Sequence, residues 1–274
     1  MKNIKLIASC ALVVSLASCV PYPGMQSAVY NTSPGVNGAF KALGPGSAHV
    51  QSQHFFVETH GQDAASKDSS LAESIYNSLM IDAGLMTFQP ANGYKIIIYQ
   101  NNAEFMKKTG QPAGSRGVIF RGGLYTYAGK KLDRRLAYEI TQLVISSYIN
   151  RPNPDWLWVK DGLAAYEEVK MVQEEGYQQD FFALVQNQMR QNPTPIAQLT
   201  TTPPPEGVEI SNSAWHCQAE SMVAFMITQT GSSEFGQFLG GLQSNLSMDT
   251  AISQAFQNKW SNLDSFYQAW LQRG

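Results

Sequence analysis

The hydrophobic positions change period along the chain, and each change marks an element. Gln53 to Thr59 (QHFFVET) reads as a strand. Leu71, Ile75 and Leu79, with Ala72, Tyr76 and Met80, recur every three or four residues, which predicts a helix. Tyr94 to Tyr99 (YKIIIY) is a short apolar β-branched run, the sign of a central strand. Ala103 to Thr109 predicts a short helix stopped by Gly110. Gly117 to Phe120 and Leu124 to Tyr127 flank Arg121-Gly122-Gly123, a hairpin signal. Asp133 to Glu168 reads as a helix, a Pro-broken turn and a second helix; Leu136, Ile140, Leu143, Val144 and Ser147 make the core-facing stripe of the first. Beyond it, Asp180 to Gln191 predicts a helix, and Pro203-Pro204-Pro205 marks a loop. Four more helical stretches follow: Ser213 to Thr230 ended by Gly231, Ser232 to Gly241, one capped by Ser247, and a last one opened by Ser261-Asn262-Leu263-Asp264, a capping-box pattern. There is no internal repeat. A small sheet interleaved with helices, then a helix pair and a helical remainder, predicts an α+β fold.

The N-terminus changes the picture of where this domain sits. Lys2 and Lys5 precede an apolar run from Leu6 to Ala17, and Leu16-Ala17-Ser18-Cys19 closes it. That tetrapeptide resembles a bacterial lipobox, which implies cleavage before Cys19 and acylation of its thiol; an ordinary secretion signal with a chance Cys is the alternative. Val20 in the next position resembles an outer-membrane address, so the expected location is the bacterial cell envelope, with membrane attachment by lipid anchor. Residues 1–18 are then a lipoprotein signal peptide and 19–48 a lipidated Cys with a Pro, Gly and Ser-rich tether. Of three Cys, only Cys217 is left for the folded part, where it reads as a small buried hydrophobe. With a net charge of −2 and no basic run, the chain has no electrostatic footprint for nucleic acid.

Candidate chemistry concentrates in Asp133 to Glu168. Tyr138-Glu139-Ile140-Thr141-Gln142 has the spacing of H-E-x-x-H, the helical zinc motif in which two His one turn apart hold the metal and the Glu is the general base. Both His positions are changed and the Glu is kept. Trp158-Val159-Lys160-Asp161-Gly162-Leu163-Ala164-Ala165-Tyr166-Glu167-Glu168 follows on the second helix. It resembles the W-L-x-E-G-x-A-x-Y-x-E pattern of the gluzincin metallopeptidases, specifically the compact bacterial peptidase-MA-like domains, with Asp161 where the third zinc ligand belongs. The resemblance runs from about His54 to Leu271. It implies a gluzincin-like (thermolysin-type) fold: a small mixed sheet plus the metallopeptidase helix pair, in residues 49–200, followed by a helical C-terminal subdomain in 201–274. It further implies that Leu124-Tyr125-Thr126-Tyr127 is the sheet edge along which an extended peptide lies, in a cleft with Leu124, Tyr125 and His216.

The residue types oppose a working metal centre. A Gln amide is a poor zinc ligand, Tyr must ionise to bind, and Asp161 is one methylene shorter than Glu. No zinc or other cofactor is therefore expected, and Tyr138 and Gln142 are expected to hydrogen-bond Asp161 across the helix pair. Glu139 reads as a vestigial base or, preferably, as a carboxylate bonded to Tyr138, Thr141 or a group of the second helix. Lys160, Glu167 and Glu168 read as solvated charges, and Gly162 as a small residue that lets the two helices approach. His54, Glu58 and His60 alternate onto one strand face, a conceivable but weak metal edge. Gly114-Ser115-Arg116-Gly117 lacks the nucleophile-elbow pattern, and Cys217 beside His216 on one helix does not form a catalytic pair. The expected function is a catalytically inactive, peptidase-like envelope lipoprotein that binds a peptide or a protein partner. A divergent metallopeptidase using Glu139 and a purely structural envelope component are the alternatives.

Overall fold

The YKIIIY run is the middle strand of a sheet. The computed structural model describes residues 40–151, 154–172, 189, 191–201 and 213–273. Its five strands are β1 (Ser47–Gln51), β2 (Phe55–His60), β3 (Tyr94–Tyr99), β4 (Val118–Phe120) and β5 (Gly123–Tyr127), in the spatial order β1-β2-β3-β5-β4. The central three run parallel, and β1 and β4 close the two sides antiparallel. Nine helices are seen among the described residues: α1 (Gln62–Asp82), α2 (Asn102–Thr109), α3 (Leu132–Ile149), α4 (Leu157–Lys170), α5 (Ile196–Thr201), α6 (Ala214–Thr230), α7 (Ser232–Gln243), α8 (Met248–Ala255) and α9 (Leu263–Arg273). The fold is mixed α+β.

Strand alternation divides the side chains between two faces. Phe55, Val57, Ile96, Ile98 and Leu124 point to the helical side and are fully buried there in the main apolar core, together with Ile75 and Leu79 of α1 and Leu136, Ile140 and Val144 of α3. That core continues through Trp158, Phe238 and Phe266 to Trp270, on both sides of position 200. Ile97, Tyr99, Val118 and Tyr125 occupy the other face, with Phe105 of α2. β5 lies between β3 and β4, so the edge on that side is β4 and not Leu124–Tyr127. The turn between β4 and β5 places Arg121 at φ 50° and Gly122 at φ 74°, the pair of left-handed positions that a two-residue hairpin needs.

Several local expectations shift. Phe40 to Ala48, read as tether, belong to the fold: the Phe40 ring is tilted against that of Phe120, Leu43 is buried, and Ser47 and Ala48 open β1. Ser147 is exposed rather than on the α3 stripe. At the last helix the reciprocal cap forms one residue later: Asn262 Oδ1 accepts from the Ser265 amide at 2.8 Å, and Ser265 Oγ accepts from the Asn262 amide at 3.1 Å. The helix expected from Asp180 to Gln191 lies, apart from Met189 and Gln191, outside the described residues, as do Pro203 to Pro205 and Cys19. Among the described residues no helix is long and apolar enough to cross a membrane.

Candidate functional site

α3 and α4 are joined by a turn that sequence dictates. Asn150 ends α3 in the left-handed conformation at φ 45°, and Pro154 opens the single 3-10 turn that leads into α4. The pairing brings Tyr138 and Gln142, one turn apart on α3, against Asp161 on α4. Tyr138 donates its hydroxyl hydrogen to Asp161 Oδ1 at 2.8 Å, and Gln142 Nε2 donates to the same oxygen. From α6, His216 Nε2 lies 3.3 Å from the Tyr138 hydroxyl, and its Nδ1 lies 2.8 Å from Ser213 Oγ, the N-cap of that helix. The neighbours assign the tautomer. Tyr138 spends its proton on Asp161, so it accepts from His216 Nε2–H; Nδ1 then accepts from Ser213. The result is a directed chain from Ser213 through His216 and Tyr138 to Asp161.

Burial and the Asp161 charge hold the Tyr138 phenol well above its ordinary pKa, so it stays neutral. Burial also pushes His216 below its ordinary value, so it stays neutral too. This donor set does not fit zinc. The phenol is not ionised, Gln142 turns its NH2 end inward, and the Asp161 oxygen that faces α3 already takes two hydrogen bonds.

Glu139 sits beside this chain in a different environment. It is 9% exposed, and burial raises its carboxyl to about 7; Arg116 opposes the rise, while Glu168 and Asp161 add to it. Two of its expected partners are engaged elsewhere: Tyr138 goes to Asp161, and Thr141 Oγ1 donates to the Ala137 carbonyl at 2.8 Å. A Cβ on Gly117 would lie 3.1 Å from the Glu139 carboxyl, so this glycine gives the acid its room. Arg116 donates to Glu168 Oε2 at 2.5 Å and lies over the Tyr138 ring at 5.0 Å, while Arg134 approaches the other Glu168 oxygen at 3.7 Å.

Lys160, Glu167 and Glu168 are thus buried, not solvated, because α4 is enclosed by α3 and α6. Burial raises Glu167 and Glu220 to about 8 each. Gly162 opens the approach of α6 rather than α3: a Cβ there would collide with the Ala219 carbonyl oxygen and lie 2.9 Å from Val223. Leu124 is buried in the core, and Tyr125 lies on the far sheet face against Phe40, so neither joins His216. Nor do His54, Glu58 and His60 gather: His54 bonds Glu73 of α1 at 2.7 Å, and His60 faces Glu104 of α2. Cys217 is buried beside Ala165 and Met189, with Tyr138 packed alongside, and burial raises its thiol to about 12.

Sequence reading passed over Arg116 and the role of Glu168. A signal existed: Glu168 is two turns after Asp161 and Arg134 one turn before Tyr138, so each shares a helix face with the site. No protein-family model matches the chain, and a search of curated proteins gives no match.

Proposed function

We propose that the chain is a bacterial envelope lipoprotein whose gluzincin-like, peptidase-shaped domain carries no working metal centre and binds a peptide or protein partner. The observation that carries this reading is the double donation to one Asp161 oxygen. Tyr138, Gln142 and Asp161 hold the positions of three metal ligands, and they satisfy one another instead. With the phenol neutral and the Gln142 NH2 turned inward, α3 offers zinc no ready ligand, and the Asp161 oxygen facing it is already bonded. The partner surface in this reading is the side of the molecule where edge strand β4 passes α3, since an unpaired edge offers backbone groups to an extended chain.

Elemental analysis of the purified folded part, followed by zinc titration in a calorimeter, tests the reading. No retained metal and no saturable heat is the expected outcome. Near-unit zinc that survives dialysis and is lost in Asp161→Ala overturns it. Metabolic labelling with palmitate tests the anchor: incorporation is expected and should vanish in Cys19→Ser.

A divergent peptide-bond hydrolase is the second reading, and one observation favours it. A carboxyl at about 7, beside an arginine and near a phenol, has the protonation balance of an acid–base group. Cleavage of a fluorogenic peptide library that disappears in Glu139→Gln would establish it.

A further inference from the structure

The segment ahead of β1 does more than lead into the sheet. β1 and β4 are opposite edges of five strands, so their separation is four strand spacings, about 19 Å. The chain from Phe40 to Ser47 reaches at most about 25 Å when extended. It uses that reach to cross the whole outer face. Ser47 opens β1, while the Phe40 ring lies 4.9 Å from that of Phe120, the last residue of β4, and 4.8 Å edge-on to Tyr125 of β5. Between these ends Leu43 is buried against Ile97, Tyr99, Phe105 and Val118.

Polar contacts hold the crossing in place. The Tyr99 hydroxyl donates to the Lys41 carbonyl at 3.0 Å, and Lys108 Nζ donates to the Ala42 carbonyl at 2.8 Å. The Lys41 amide donates to the Lys108 carbonyl at 3.4 Å, and Lys108 is itself fixed by Glu104 at 2.8 Å. β4, by contrast, is three residues long and has a single strand neighbour. A ladder that short is weak without side-chain cover. Phe40 supplies that cover.

We infer that Phe40–Leu43 is a strap that latches the β4–β5 hairpin, so that its seating decides how firmly the edge strand is held. Seated, the strap fixes β4 and, through it, the Arg116–Gly117 approach to Glu139. Drawn off the sheet, it uncovers Phe120 and Tyr125 and loosens the hairpin. The strap stands independently of what the site binds.

Hydrogen–deuterium exchange of the full chain, read by mass spectrometry, tests this with two variants. Phe40→Ala removes the cover, and Tyr99→Phe removes one strap hydrogen bond while keeping the ring. Amide exchange across Val118–Tyr127 is expected to quicken about tenfold in the first and several-fold in the second, with α3 and α4 unchanged. Unchanged exchange in the hairpin of Tyr99→Phe and Phe40→Ala overturns the strap. Equal acceleration everywhere also overturns it, since Phe40 would then be a general stabiliser. Should Phe40→Ala fail to fold, Tyr99→Phe decides alone.

Discussion

Asp161 and Tyr138 lie on different helices and are joined by a 2.8 Å hydrogen bond from the phenol to the carboxylate. The same oxygen receives Gln142, so one acceptor satisfies two buried donors of α3. Asp161→Ala leaves both donors unpaired. The expected loss is about 2–4 kcal/mol in urea unfolding, against about 1–2 kcal/mol for Tyr138→Phe, which removes one of the donors to Asp161 and leaves the His216 Nε2–H without its acceptor. Similar losses in the two variants would show that Asp161 is not the hub.

His216 should stay neutral with its proton on Nε2 near neutral pH, because burial lowers its pKa and Tyr138 accepts from that nitrogen. The sign follows from linkage. As pH falls through about 6.5, the unfolded chain takes up a proton there that the folded chain refuses, so stability declines. Long-range nitrogen–proton NMR reads the tautomer directly. A doubly protonated ring at pH 6.5 would contradict the hydrogen-bond chain.

Three buried acids act in the opposite direction. Glu139 at about 7, with Glu167 and Glu220 at about 8, keep protons that the unfolded chain releases near 4.5. Their contribution is greatest below about 4.5 and is lost as pH rises through 7 to 8. Glu73 and Glu104, whose pKa values are lowered, lose their contribution in acid instead. Maximum stability should therefore fall on the mildly acidic side of neutral. Glu220→Gln should raise the melting temperature by a few degrees at pH 8 and leave it unchanged at pH 5. An equal effect at both pH values would mean Glu220 is ionised in the fold.

Gly162→Ala sets helix propensity against packing. Alanine gains about 1 kcal/mol in an open helix. Here its Cβ meets the Ala219 carbonyl, a backbone group that yields only if α6 moves. The net expectation is a loss of about 2–4 kcal/mol, measured by chemical unfolding. A stabilised variant would show that the α4–α6 seam is looser than this.

Much of the fold was legible because local signals agreed. The β-branched run at Tyr94–Tyr99, the glycine after Thr109 and the Arg121-Gly122 turn each specify an element by backbone chemistry alone. The Tyr138–Gln142–Asp161 contact was also legible: helix periodicity puts Tyr138 and Gln142 on one face, and the resemblance to the metallopeptidase helix pair implies that Asp161 lies opposite them. What sequence did not yield depends on enclosure. Nothing local to Lys160, Glu167 or Glu168 says that α6, a later helix, covers α4 and turns surface charges into buried ones. The sheet order has the same character: that β5 passes inside β4 depends on its parallel pairing with β3, which no turn signal encodes. The surroundings of Glu139 were hidden for a related reason, because Arg116 and Gly117 reach it from a loop distant in sequence.

Trp270, close to the C-terminus, donates its indole N–H to Ser221 Oγ at 3.0 Å, forty-nine residues earlier, and neighbouring Phe266 stacks on Trp158 of α4. Both aromatic rings are fully buried. A ribosome that has released everything up to α8 therefore holds a chain whose central helix still lacks its aromatic lid. The core around α4 is therefore completed only when α9 arrives, and a chain that stops before Leu263 leaves Ser221 and Trp158 without these partners.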